Sequence, residues 1–292
     1  MHRKYEISRR HFLRPGAGTI GAALGSVPLL PACGGDTIAV APVTTPRLNS
    51  ASNFRDTAGP DGTGYTMTGS AKMRKSVLYR SSALALSADD FAAVGALGIK
   101  QVCDLRTPAE IKTQSDTPLP GATWQNLNVL GAASIDPIPT TGPTATAFML
   151  NMYRAFVASN NACAGYHARL IGFAASDGNL VFHCTAGKDR TGWATVILHT
   201  ILSLSPQTIL ADYLLTNTYS AATIGASVAQ AQKAGGQNAT DMMTAPQGAR
   251  ADNLQAAFDQ VTASYGSMTS YIANGLQLDL ATLNVIRQRM LV

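Results

Sequence analysis

The segment from Leu180 to Gly192, LVFHCTAGKDRTG, constrains the fold more than any other. A short apolar run, Leu180 to Phe182, leads into His183 and Cys184, and Arg190 follows after five intervening residues. Apolar runs of this length bounded by turn residues read as buried strands. Asp177-Gly178-Asn179 supplies the turn before it, and a helix is expected from Thr191 onward. The segment is therefore a strand, a Cys-x5-Arg loop and a helix. A strand that feeds directly into a helix belongs to α/β architecture.

The loop also constrains chemistry. Five residues can curl into a ring whose backbone N–H groups point inward, and such a nest at a helix N-terminus cradles an anion. Thr185, Ala186, Gly187, Lys188 and Thr191 are the candidate phosphate-binding residues, with Asp189 among them. Arg190 adds a planar fork suited to two phosphate oxygens. Cys184 lies at the base, where the inward N–H groups, Arg190 and the helix end all favour thiolate over thiol. Thr191 can offer a hydroxyl to the sulfur. Gly187 permits tight curvature and Gly192 close helix packing. His183 is expected to brace the loop rather than to react.

The remaining pattern extends the α/β reading. Ser87-Ala88-Asp89-Asp90 opens a helix with a capping-box-like pattern, Gly98 closes it, and Ile99 to Leu105 follows as a buried strand. Thr107-Pro108-Ala109-Glu110 starts another helix, with Pro at its first position and Glu three residues after the Thr as in a capping box. Trp124 to Leu130 is predicted as a strand. Thr144 to Ser176 is predicted as one or two helices, with a break near Asn160-Asn161. Residues 220–250 are rich in Ala, Gly and Gln and read as a poorly patterned, mobile insertion, followed by two or three helices after Ala251. Asp104 and Arg106 fall at a strand's C-terminal end, where α/β sites lie. Both are candidate supports of the loop. Arg55, Asp56, Arg80 and Ser81 read as a structural polar network, Cys163 as packing, and His167 and His199 as surface or core residues.

The N-terminus reads as an address. Ser8-Arg9-Arg10-His11-Phe12-Leu13 is a twin-arginine pattern followed by a Gly/Ala-rich stretch. Leu29-Leu30-Pro31-Ala32-Cys33 is similar to a lipobox, with Cys33 the lipidated residue. Ala39-Val40-Ala41 is a competing cleavage site. Residues 1–33 are thus the expected signal region, 34–50 a flexible tether and 51–292 the catalytic domain. Export across the cytoplasmic membrane to the periplasm or cell envelope follows, with membrane association only through the lipid. The formal charge of +5 does not imply nucleic acid. Five of the 22 basic residues and one of the 17 acidic residues lie in 1–32, which leaves a body of 17 against 16. With Cys33 set aside, Cys103, Cys163 and Cys184 make an odd number, so at least one thiol is expected to be free. Cys103 is a candidate reserve thiol for Cys184.

The form HCxxGKDRTG resembles the protein tyrosine phosphatase superfamily, in its bacterial tyrosine/lipid phosphatase branch. Asn53-Phe54-Arg55-Asp56-Thr57-Ala58-Gly59, Leu78-Tyr79-Arg80-Ser81, and Asp104-Leu105-Arg106 through Glu110 are similar to further motifs of that branch. The resemblance implies a single phosphatase domain with a central, mostly parallel sheet flanked by helices, and additional C-terminal helices. It implies a phosphocysteine intermediate on Cys184, substrates among phosphotyrosine proteins and phosphoinositides, and no cofactor. No His/Cys/Asp cluster has metal-ligand spacing, so no metal is expected. A WPD-type acid loop is absent, since Trp124 is followed by Gln125-Asn126. The resemblance therefore points to Asp189 as acid/base, with Asp136 as the fallback. Lys72, Arg74, Lys75 and Lys188 serve either extra phosphates or solvent. A sulfurtransferase-like enzyme and a non-hydrolytic phosphate-binding lipoprotein are the alternatives.

Overall fold

The structure is a computed structural model that describes residues 45–60, 63–67, 69–135 and 142–292, with only the backbone of 237–246. The described residues belong to one compact unit. Cys33, Arg9, Arg10 and Asp136 lie outside them.

In chain order the first elements are β1 (Arg55–Asp56), β2 (Leu78–Ser81), α1 (Ala88–Gly95), β3 (Ile99–Asp104), α2 (Pro108–Thr113) and β4 (Thr123–Asn126). The long helices α3 (Gly142–Ala158) and α4 (Asn160–Ala175) lead to β5 (Asn179–His183) and α5 (Arg190–Ile201). The chain closes with α6 (Pro206–Tyr219), α7 (Ala221–Gln247), α8 (Ala251–Tyr265), a short α9 (Met268–Ser270) running into a π turn at Tyr271–Gly275, and α10 (Leu280–Met290). The sheet order is β1-β2-β5-β3-β4. Only the β1–β2 pair is antiparallel, so β5 is the central strand between two parallel neighbours.

Side chains of a strand alternate between faces, and here the alternation separates two core layers. Leu78, Leu180, Phe182 and Cys103 face the layer that holds Tyr153, Leu170 and Trp193. Tyr79, Val181 and Val102 face the layer of Val94, Leu97 and Leu119. Helix α5 is buried over nearly its whole length, which fits a helix apolar all round. The mostly parallel, two-sided sheet is the architecture expected from the Leu180–Gly192 segment.

Three sequence expectations change. The strand at Trp124 stops at Asn126 rather than Leu130, because its only partner, β3, ends at Asp104. Leu127 N donates the last bond, to Asp104 O at 2.7 Å. Residues 221–247, expected to be poorly patterned, are helical. Ala and Gln are good helix formers and α7 packs on α3, while Gly235-Gly236 interrupts it with non-helical dihedrals. Third, Asp90 does not complete a capping box with Ser87. Its Oδ2 accepts from Asn49 N at 2.9 Å and Ser50 N at 2.6 Å, tying the entering chain to α1. The expected capping box of α2 forms, with Thr107 and Glu110 bonded reciprocally. No helix among the described residues is long and apolar enough to cross a membrane.

Candidate active site

The chain leaves β5 at His183, turns through Cys184 to Asp189 and enters α5 at Arg190. Cys184, Gly187 and Lys188 are buried, while Thr185 and Ala186 are exposed. Gly187 has φ +65°, and a Cβ there would stand 2.3 Å from Ser81 O. Only glycine lets the loop lie this close to the end of β2. Two donors grip the Gly187 carbonyl from behind, Asn53 Nδ2 at 2.7 Å and Arg80 Nη2 at 2.8 Å. Asn53 also donates to Ala186 O at 3.3 Å from a left-handed backbone with φ 64°.

In front, Arg190 is held end-on. Its Nη1 donates to Glu110 Oε2 at 2.7 Å and its Nη2 to Glu110 Oε1 at 2.6 Å. Nη1 also donates to Leu105 O at 3.5 Å, so three of its five N–H groups are used, and Nε makes no bond among the described residues. The edge formed by Nε and Nη2 is left for an anion. Glu110 also accepts from Thr185 Oγ1 and, at 3.0 Å, from Thr107 N. Burial pushes the Glu110 carboxyl up, but the bonds from Arg190 and Thr185 outweigh it and hold it at about 2. Burial disfavours the Arg190 charge, while Cys184 and Glu110 more than restore it.

His183 is fully buried, with Nε2 3.0 Å from Asp116 Oδ2 and Nδ1 3.3 Å from the Cys184 carbonyl oxygen. Arg106 donates to Asp104 through Nε at 2.9 Å and Nη2 at 2.8 Å, and to Asp116 Oδ1 at 2.9 Å. Burial raises the Asp116 carboxyl, but His183, Arg106 and the Leu84 amide bring it to about 2. Asp104 and Arg106 thus reach the loop through Asp116 and His183. Ligand atoms of Asp104, Asp116 and His183 all lie within 4.8 Å of one another. The guanidinium of Arg106 already bonds both carboxylates, so this donor set suits a cationic side chain rather than an ion.

Asp189 Oδ1 accepts from Tyr153 OH at 2.8 Å, and Lys188 Nζ stands 3.4 Å away. Tyr153 OH in turn pairs with Tyr213 OH at 2.7 Å. Asp189 caps no helix N–H with its side chain, and its Oδ2 makes no bond among the described residues. Lys188 Nζ turns to Gly248 O at 3.3 Å. The buried Thr191 Oγ1 makes no hydrogen bond among the described residues. A cleft of about 270 Å³ opens at the loop, lined by Ala109, Glu110, Thr113, Gln114, Ile135 and Thr185 among others.

The structure thus brings Cys184 to Thr191, His183, Asp104 and Arg106 to one place. Arg74 bonds Leu291 O at 3.0 Å and Lys75 bonds Gly59 O at 2.8 Å. Cys103, Cys163 and Cys184 are free and buried, and burial pushes the Cys103 thiol up to about 11. Cys163 Sγ bonds Val157 O at 3.3 Å. His167 bonds Leu276 O and His199 bonds Thr57 O, each at 2.8 Å. Sequence reasoning did not single out Glu110, Asp116, Tyr153, Tyr213, Asn53 or Asp212 as site residues. The signal for Glu110 was the capping box, which explained its presence without needing Arg190.

A cysteine just beyond the end of a central strand, in a tight loop closed by one arginine at a helix N-terminus, defines the class of α/β enzymes that seize a phosphoryl group in a loop. Residues 46–292 match the tyrosine phosphatase family. A Cupriavidus necator protein bearing the name of a tyrosine-protein phosphatase is 34% identical over 244 residues, covering 81% of this chain and 85% of its own. The triple specificity protein phosphatase PtpB of Mycobacterium tuberculosis is 27% identical over 278 residues, covering 82% and 96%. The chain belongs to the tyrosine phosphatase family and is a phosphatase.

Proposed function

We propose that the protein hydrolyses phosphate monoesters, phosphotyrosine above all and phosphoinositides in addition, through a phosphocysteine intermediate. The observation that carries this reading is the geometry of Arg190. Glu110 takes both Nη atoms of Arg190, the residue that closes the loop opened by Cys184, and leaves its Nε edge unbonded among the described residues. The phosphoryl group binds to the loop amides and that edge. Cys184 Sγ attacks phosphorus, an S–P bond forms, and the ester P–O bond breaks. Asp189 gives its proton to the leaving oxygen, and Tyr153 fixes the carboxyl in place. Water then attacks phosphorus as Asp189 takes its proton, and the S–P bond breaks to release phosphate and the thiolate. Thr191, whose hydroxyl has no other partner among the described residues, is suited to receive the sulfur's charge.

The twin arginines at Arg9 and Arg10 support export, and the segment ending at Cys33 supports a lipid anchor. The substrate is then met outside the cytoplasm, as a phosphorylated protein or lipid. The mechanism is tested with p-nitrophenyl phosphate. A burst of nitrophenol is expected, with inhibition by vanadate and none by EDTA. Cys184→Ser is expected to bind phosphate esters without turnover, and Arg190→Ala to lose both. Full turnover by Cys184→Ser overturns the covalent route.

A further inference from the structure

We infer that Arg80 is a positioning residue for the reaction, one that aims the loop's amides inward and places behind Cys184 the positive charge that keeps it a thiolate. The inference rests on the phosphocysteine reading above and adds to it a residue that touches no substrate. Two observations carry it, one geometric and one of charge.

The geometric observation concerns the Gly187–Lys188 peptide. Arg80 Nη2 and Asn53 Nδ2 both donate to the Gly187 carbonyl, at 2.8 and 2.7 Å. In a trans peptide the N–H points opposite to the C=O, and no peptide bond among the described residues is cis. Pulling this carbonyl backward therefore turns the Lys188 N–H forward, into the loop. Both donors are buried, so the grip is not diluted by water.

The charge observation is an imbalance. Behind the loop Arg55 and Arg80 share one carboxylate, Asp212, at 3.6 and 3.2 Å, and all three side chains are almost wholly buried. His199 is kept from protonating by burial, and Tyr65, which donates to Asp212, is kept from ionising by burial. Asp56, next along β1, is bonded to the Ala58 and Ser76 amides and faces Lys75. One positive charge is left over, and a buried charge demands a partner. Burial and Arg55 push Arg80 down to about 9, while Asp212 and Cys184 act to raise it. That attraction works equally in the other direction.

Most other charged groups around Cys184 are paired with a counter-charge or kept neutral; Arg169, which faces no carboxylate among the described residues, is the exception. Arg190 is matched by Glu110, and Asp189 by Lys188. Asp104 and Asp116 share Arg106, with His183 Nε2 3.0 Å from Asp116 Oδ2. Tyr166 of α4 is kept neutral by burial, as is Tyr153 of α3. Arg169 of α4 lies over the Phe182 ring, 4.3 Å from its centre, with Cys103 as its facing thiol. The surplus at Arg55 and Arg80 is thus completed by an anion in the loop: Cys184 in the free enzyme, and the phosphoryl group once it is bound.

The test is the rate of iodoacetamide alkylation of Cys184 in the full chain, located by peptide mass spectrometry, at pH 6 relative to pH 9. Thiolate alone reacts, so this ratio reports the thiolate at pH 6. In Arg80→Met the ratio is expected to fall about tenfold, the effect of losing one nearby opposite charge. In Arg80→Lys it stays within about threefold of wild type, because the charge remains. In Asp212→Asn it stays level or rises. Cys103, whose thiol burial pushes up to about 11, stays thiol at pH 9 in the fold and reports unfolding by becoming labelled there. An unchanged ratio in folded Arg80→Met overturns the inference and leaves the phosphocysteine reading standing. If Arg80→Met does not fold, a fall in Asp212→Asn overturns it instead, since a merely structural role sends both variants the same way. A wild-type Cys184 that alkylates like an ordinary thiol refutes the phosphocysteine reading and this inference together.

Discussion

Glu110→Gln isolates the contact that orients Arg190. The change keeps shape and length and removes the charge. Glu110 accepts from both Nη atoms of Arg190, from Thr185 and from Thr107. Glutamine keeps one acceptor for Arg190 and turns an NH2 group toward the other donor. The worth of the carboxylate follows from its acidity, about 2 in the fold against an ordinary 4.5. At about 1.4 kcal/mol per pH unit, discounted for partial exposure, this is roughly 2–3 kcal/mol of stability. A carboxyl held below its unfolded value stabilises above that value, and the gain is lost as pH falls through the folded one. The stability gap between wild type and Glu110→Gln is therefore expected to be full above about pH 5 and to close toward pH 2. If the same energy serves to place the Arg190 fork, kcat/KM falls roughly 30- to 150-fold. Denaturant midpoints across pH give the first quantity, and p-nitrophenyl phosphate kinetics the second. A gap that is the same at pH 7 and pH 3, with kcat/KM within threefold of wild type, refutes the reasoning.

Three further outcomes are expected. Gly187→Ala forces a side chain into φ +65° and against Ser81 O; it costs at least about 1–2 kcal/mol from the dihedral alone and disables the loop, read by thermal unfolding and vanadate affinity. Asp189→Asn slows alkyl phosphates about 10²–10⁴-fold and activated aryl phosphates far less, and equal losses on both remove Asp189 as the acid. Replacing Arg9 and Arg10 by Lys retains the precursor in the cytoplasm, and Cys33→Ala moves the protein out of the membrane fraction; unchanged fractionation in either argues for another route or another cleavage site.

What was legible in the sequence is what is contiguous in it. The strand, the Cys184–Arg190 loop and helix α5 are a single run of residues whose local preferences agree, so their placement needed no tertiary information. The capping box of α2 is local too, and it formed. The residues that were missed meet the loop across long stretches of chain: Glu110 lies 80 residues from Arg190, and Tyr153 lies 36 from Asp189. No periodicity encodes such pairs. Strand β4 was overextended because its length is set by where β3 ends, not by Leu127 or Val129. Residues 221–247 looked structureless because Ala, Gly and Gln give little amphipathic pattern. Their helix is favoured by intrinsic propensity and by packing on α3.

The polar groups behind the loop form three sets, and each ends on a different part of it. Arg106 with Asp104 and Asp116 ends on His183, just before Cys184. Arg55 and Arg80 with Asp212 end on the Gly187 carbonyl. Glu110 ends on Arg190 and Thr185. Buried ion pairs add little stability over apolar residues of the same shape, because desolvation consumes most of the attraction. Stability therefore does not explain why three such sets converge on the eight residues from His183 to Arg190. Geometry does: an amide nest works only while its carbonyls are held outward, and each set clamps one point against rotation. Apolar replacement of a whole set should then leave the fold about as stable and the loop unable to hold an anion, whereas removal of one member of a set leaves a buried charge and costs both.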